Sequence, residues 1–376
     1  MGNRPLTVLN LISGNGRGGS DRLALDVSKG LKRRGHRIIW GAPSFCELNE
    51  EAAGAGLELF DPDSPEMQAD PHLKKLCRKE GIDIVNSHHS KDRHLLLAAR
   101  LRGLGTRIVF TRHCILSGMP YVGTFYYNLL DMNIGVSKAV EESLLRGGVW
   151  RSRATMVYGG IDIPRFSSPA EEDVAAVRRE YGREGSFTVG IVGRYTGGRN
   201  FSPENPSMKG HEYLFRALSA MDGDVRVLVL GVWGDEDIRN LRLVAEYEGL
   251  SADRLTFCDY QQEIAPFYRL MDVNVLPSKN EGLGLALIEA MAAGVPCIGA
   301  DSGGIREIIT DGKDGLLFRH GESRELSEKI RVMRDDRARR DLFISNARET
   351  VKRFDINRTV EETERVFYSL VKKSEW

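Results

Sequence analysis

Short apolar runs alternate with amphipathic helical stretches twice along this chain, and that alternation constrains the fold more than any other feature. Residues 7–12 form an apolar run, followed by a glycine-rich turn at 14–19 and an amphipathic stretch at 20–34. Gly35, a good helix-stop residue, ends that stretch, and a second apolar run follows at 36–41. This is a βαβ unit. The alternation continues with strands expected at 82–87, 107–111, 133–136 and 155–158, and helices at 91–101 and 137–146. A second series begins at 187–193, with strands at 225–231, 273–276 and 296–299 and helices at 238–248 and 285–293. Between the two series, residues 162–185 carry Pro164, Pro169 and a charged helical stretch at 171–181, which reads as an interdomain connection. Residues 322–373 read as helical throughout. Strands alternating with helices imply parallel, doubly wound sheets, and two such series predict two Rossmann-like α/β domains. We expect them at 1–163 and 186–350, with ligands held outside the carboxyl ends of the strands.

Charge and cysteine usage narrow the class. Lys plus Arg and Asp plus Glu number 53 each, which excludes a highly basic nucleic-acid binder. Residues 1–163 hold 22 basic and 17 acidic residues, an asymmetry as small as ordinary surface scatter, so peripheral contact with an anionic membrane face stays open. The five cysteines include no closely spaced pair, which argues against a disulfide framework or a zinc ribbon and for a reducing cytosol. No signal-like start and no stretch of about 18 apolar residues is seen, so a cytoplasmic protein is expected.

The most informative segment is 278–296. Glu281 and Glu289 lie eight positions apart, with Gly282, Leu283 and Gly284 between the first of them and a helix expected from Leu285. Glycines let a backbone approach a ligand closely, and the free N–H groups of a helix start attract an anion. A phosphate could sit on that turn, with one carboxylate on each side for sugar hydroxyls. The plainer reading is an ordinary strand-to-helix loop with surface carboxylates.

The run Glu281, Gly282, Leu283, Gly284, Glu289, Ala290, Met291, Ala292, Gly294 and Pro296 resembles the E-x7-E signature of the retaining glycosyltransferases of family 4. Gly303, Gly304, Glu307, Ile308, Asp311, Gly312, Gly315 and Leu316 continue the pattern, as do Gly18–Gly19, Gly193–Arg194 and Lys209–Gly210. The resemblance implies the GT-B architecture: two facing Rossmann-like domains, with a C-terminal helix, 357–376, returning to the first. It implies that Glu281 faces the donor sugar near the reaction centre and that Glu289 binds the nucleotide ribose. The backbone of Gly282, Leu283, Gly284 and Leu285 would cradle the diphosphate, and Arg194 and Lys209 would neutralise it. The leaving nucleoside diphosphate gains negative charge as the glycosidic bond breaks, so fixed positive groups there lower the barrier. Fourteen residues separate Arg194 from Lys209, where the family places the pair a few residues apart. Residues 195–208 therefore read as an inserted loop whose Arg199 could substitute or assist.

In the first domain, Gly14, Gly16 and Gly19 formally spell G-x-G-x-x-G, but an NAD site would want an acidic residue near the end of the second strand, where Ile39, Trp40 and Gly41 stand. By resemblance the Gly18–Gly19 loop reaches toward the diphosphate or the acceptor, and His113, just past a strand, matches a histidine that touches the donor sugar. His88 and His89 could line the acceptor pocket or pack beneath that loop. Three D-x-D triplets, Asp61/Asp63, Asp222/Asp224 and Asp235/Asp237, are the kind that arise by chance in an acid-rich chain, and no metal site is expected. Tyr121, Phe125, Tyr126 and Tyr127 suggest an amphipathic helix, facing either the core or a lipid-linked acceptor.

The implied activity is metal-independent, retaining transfer of a sugar from a UDP-, GDP- or ADP-linked donor to a saccharide or lipid-linked acceptor, with no cofactor, in cell-surface polysaccharide or lipopolysaccharide assembly. The alternatives are a sugar-nucleotide epimerase on the same architecture, a non-catalytic sugar-nucleotide-binding protein and, with least support, an NAD oxidoreductase.

Overall fold

The computed structural model describes residues 4–63, 73–116, 121–195, 207–222 and 224–372, with only the backbone of 121–124. The chain divides into two compact units, residues 1–161 with 354–376, and residues 162–353.

The first unit holds seven parallel strands: β1 (Thr7–Leu11), β2 (Arg37–Gly41), β3 (Glu58–Phe60), β4 (Ile84–Ser87), β5 (Arg107–Arg112), β6 (Met132–Gly135) and β7 (Ala154–Met156), ordered β3-β2-β1-β4-β5-β6-β7. The inner strands are buried on both faces, as their near-continuous apolar runs require. Register is direct: Leu9 of β1 pairs with Ile39 of β2 on one side and Val85 of β4 on the other. The order reverses between β1 and β4, which opens a crevice at their carboxyl ends.

Helix Ile356–Lys372 belongs to this unit. The chain leaves the unit at Ile161 and re-enters beside it, with Ile356 N–H donating to the Ile161 carbonyl. The helix packs so closely on helix Gly19–Arg33 that a Cβ on Gly30 would lie 2.3 Å from a methyl of Val360. His36 and Arg34 both hold Glu364, at 2.8 and 2.7 Å.

The second unit repeats the plan with β8 (Phe187–Val192), β9 (Val225–Val232), β10 (Leu255–Asp259), β11 (Val273–Leu276), β12 (Cys297–Ala300) and β13 (Leu316–Phe318), all parallel, in the order β10-β9-β8-β11-β12-β13. The reversal falls between β8 and β11. Residues 162–185, expected as a connection, belong to this unit: the helix expected at 171–181 forms as Glu171–Tyr181, and Ile163–Ser167 adds a short helix before it. The tail expected as one helical run breaks into Ser323–Asp335, Arg337–Val351 and Ile356–Lys372. Asp336 makes the first break, leaving helical geometry and accepting the Arg339 N–H to start the next helix.

Candidate active site

The functional residues expected from sequence fall into two groups, each at the carboxyl ends of its unit's central strands. In the second unit, β11 ends at Leu276 and the chain turns through Pro277–Gly284 into helix Leu285–Ala292. Gly284 caps that helix in the left-handed region at φ 104°, where a side chain would be strained. The opening amides of a helix have no i−4 partner inside it; here Leu287 N–H turns back to the Gly284 carbonyl at 2.9 Å, which leaves the amides of Leu285 and Ala286 at the start. Gly304 N–H donates to the Glu281 carbonyl at 2.9 Å, which fixes the loop from behind.

The Lys209 ammonium donates to Glu281 Oε2 at 2.8 Å. Burial alone would raise the Glu281 carboxyl, but Lys209 holds it below its ordinary value of 4.5. Two backbone devices bring the lysine there. Gly210 adopts φ 74°, and a Cβ on it would lie 2.4 Å from the Pro277 carbonyl oxygen, so only glycine lets this turn close on the end of β11. Ser207 Oγ accepts from Gly210 N–H at 3.0 Å, and Lys279 N–H donates to the Met208 carbonyl. The lysine stem then runs past Gly193 at the end of β8.

Arg194 follows directly and is exposed, with its guanidinium stacked 3.8 Å from the centre of the Trp233 ring. Trp233 stands just past the end of β9 and escaped the sequence analysis, because a single aromatic between a strand and a helix carries no periodic signal. Tyr268 escaped it too. It is buried, its hydroxyl donates to Glu289 Oε2 at 2.6 Å, and burial beside that carboxylate raises its pKa well above 10. The tyrosine therefore stays a donor and holds the second glutamate in place. Arg199 lies outside the described residues.

In the first unit, the loop after β1 leads through Gly18 into helix Gly19–Arg33. Asp21, buried on that helix, accepts from Gly16 N–H at 3.2 Å and from His89 Nε2 at 2.6 Å. This pairing raises the His89 pKa against the opposing effect of burial. A Cβ on Gly14 would lie 2.6 Å from the Asp21 carboxylate, so the glycine loop rests directly on this pair. Asp92 accepts from Ser13 and Ser87 and ties the end of β1 to that of β4. His113, past the end of β5, is half-buried, with its Nε2 3.0 Å from His88 Nδ1. His88 is buried between Asn86 and His113, and His89, held by Asp21, packs beneath the glycine loop. Tyr126 and Tyr127 also turn into the core, whereas Phe125 is exposed.

The three acidic triplets have local partners. Asp61 Oδ1 accepts from Asp63 N–H, Asp222 and Asp224 flank Arg334, and Asp237 accepts from Trp233 N–H. Among the described residues no group of three or more His, Cys, Asp or Glu side chains is placed to hold a metal ion. No helix among them is long and apolar enough to cross a membrane.

Two family matches cover most of the chain. The family described as "Glycosyltransferase Family 4" matches residues 17–165, and "Glycosyl transferases group 1" matches residues 201–350. The chain belongs to these glycosyltransferases. Among its relatives is the N-acetyl-alpha-D-glucosaminyl L-malate synthase of Bacillus anthracis, 26% identical over 385 residues, covering 94% of this chain and 95% of the relative. Among solved structures, Anabaena HepE in complex with UDP and glucose resembles this glycosyltransferase with a TM-score of 0.82 at 21% identity, over 97% of this chain and all of HepE. WaaG, a glycosyltransferase involved in lipopolysaccharide biosynthesis, resembles it with a TM-score of 0.72 at 15% identity, over 96% and 99% of the two chains. At these identities the structural likeness establishes the GT-B fold of two Rossmann-like domains.

Proposed function

We propose that this glycosyltransferase moves a sugar from a nucleoside diphosphate donor to an acceptor hydroxyl with retention of anomeric configuration and without a metal. The observation that carries the reading is the convergence of Lys209, Glu281 and the open amides at the start of helix Leu285–Ala292, with Arg194 at the neighbouring strand end. On donor binding Lys209 exchanges part of its contact with Glu281 for the diphosphate. Arg194 and the helix start add positive potential where the leaving group gains charge. Glu289, held by Tyr268, takes the ribose hydroxyls, and Glu281 faces the sugar. In the first unit His113 touches the donor sugar, and Gly18 and Gly19 line the approach.

The anomeric carbon–oxygen bond to the diphosphate breaks as the acceptor oxygen bonds to that carbon from the same face. The acceptor proton passes to the departing phosphate oxygen, so no protein base is required. HepE's complex with UDP and glucose supports UDP-sugars as the first candidate donors, and WaaG's involvement in lipopolysaccharide biosynthesis supports a role in cell-surface polysaccharide or lipopolysaccharide assembly. A cytoplasmic location fits the free cysteines and nucleotide-sugar supply.

Incubation with UDP-, GDP- and ADP-sugars and an acceptor panel, followed by NMR of the product's anomeric proton, tests this reading. Transfer with the donor's anomeric configuration supports it. An inverted product, an absolute metal requirement or sugar conversion without acceptor contradicts it.

A further inference from the structure

A line of buried polar side chains runs through the first unit and ends on His113. Its polarity can be worked out from one end. The Ser28 hydroxyl donates to the Ala24 carbonyl at 2.7 Å, and a carbonyl can only accept. Ser28 Oγ must therefore accept from Asn10, whose Nδ2 lies 2.7 Å away. Asn10 then turns its Oδ1 toward Asn86, which answers with Nδ2 at 3.0 Å. Thr111 Oγ1 donates to the Asn86 oxygen at 2.9 Å, consistent with that orientation.

The second proton of the Asn86 amide points at His88 Nε2, 2.9 Å away. That nitrogen is thus an acceptor, and a neutral imidazole carries its one proton on the other nitrogen. His88 Nδ1–H donates to His113 Nε2 at 3.0 Å, with the two rings stacked at a centroid distance of 5.3 Å and a 27° tilt. His113 in turn carries its proton on Nδ1, for which no partner exists among the described residues. Burial pushes His88 well below its ordinary 6.5 and His113 to about 4, so both rings stay neutral and keep one donor and one acceptor each.

We propose that His88 is a positioning residue: it locks His113 in the tautomer that presents Nδ1–H as a hydrogen-bond donor to a hydroxyl of the donor sugar. Asn86 orients His88 in the same way, and Asn10, Thr111 and Ser28 orient Asn86. This inference rests on the reading of His113 as a donor-sugar contact, but the tautomer itself does not. A second element that fixes which ring nitrogen is protonated is a common requirement wherever a neutral histidine must act as a donor.

Two measurements test it. In ¹⁵N-histidine-labelled protein, long-range ¹H–¹⁵N NMR should show His113 protonated on Nδ1. In His88→Phe, which keeps an aromatic ring but removes both nitrogens, His113 should move toward the Nε2–H form. A wild-type His113 protonated on Nε2, or a tautomer unchanged in His88→Phe, overturns the proposal, and the wild-type spectrum decides it even if the variant folds poorly. In assays, His88→Phe should lower kcat/KM by about tenfold, the loss of one hydrogen bond. The same change made in a His113→Ala background should cost nothing further. Losses that multiply would show His88 acting on its own and contradict the positioning role. If His113→Ala leaves transfer intact while the NMR result holds, the relay stands and the sugar-contact reading of His113 fails.

Discussion

The two units share one strand order, with a seventh strand added in the first, and set different side chains at its carboxyl ends. At the carboxyl ends of β8 and β11 the second unit gathers a lysine, an arginine, two glutamates and a helix start. At the carboxyl ends of β1, β4 and β5 the first unit sets the pair His89–Asp21, Asp92 held by Ser13 and Ser87, Arg112 held by Tyr127, and a series of neutral hydrogen-bonding groups that ends on His113. A diphosphate needs fixed positive charge, whereas sugar hydroxyls are recognised by groups whose donors and acceptors are settled in advance. The same scaffold thus supplies either, depending on the loops that follow its strands.

The sharpest way to break this contrast is Lys209→Ala. It removes a cation from the leaving group and leaves Glu281 unpaired, and kcat should fall about 10²- to 10³-fold, the usual cost of one transition-state charge contact. A loss under threefold would place the diphosphate elsewhere. Trp233→Leu should act on the same group more gently. It takes away the face on which Arg194 is stacked, and the donor KM should rise about 3- to 30-fold with a smaller change in kcat. A kcat defect with an unchanged KM would contradict a role through Arg194.

Glu281 also makes a prediction in pH. Its carboxyl is depressed in the folded protein, so the pair with Lys209 stabilises fully above the unfolded value of about 4.5 and is lost as pH falls through the lower folded value. The stability difference between wild type and Glu281→Gln should therefore be constant near neutrality and shrink below pH 4.5. A difference that grows on acidification would contradict the pairing. The smallest effect belongs to the first unit: Glu364→Gln should cost about 0.5–1 kcal/mol in denaturant unfolding and leave donor KM unchanged, because its contacts with Arg34 and His36 lie on the returning helix.

Much of this was legible in the sequence, for identifiable reasons. The inner strands are buried on both faces and so read as plain apolar runs, and the Glu281–Glu289 spacing across two glycines marks a helix start whatever surrounds it. Three short edge strands escaped notice: Glu58–Phe60 is largely exposed and Leu255–Asp259 is mostly half-buried, so neither shows a continuous apolar run, and Leu316–Phe318, though apolar, is only three residues long. Helix His211–Ser219 was not expected; it follows residues 195–208, read from sequence as an inserted loop, of which 196–206 lie outside the described residues. Trp233, Tyr268 and Asn86 could not be assigned from sequence, because each acts by touching a residue distant along the chain: Arg194, Glu289 and Asn10. Gly210 was visible as part of a motif, but its reason, the close approach to Pro277, is purely three-dimensional.

A crystal structure of the protein soaked with UDP tests the central claim most directly. The β-phosphate is expected on the amides of Gly282–Leu285, with Lys209 Nζ within hydrogen-bond distance of it and the ribose hydroxyls on Glu289. UDP bound away from this turn, or bound there with Lys209 still directed wholly at Glu281, would contradict it.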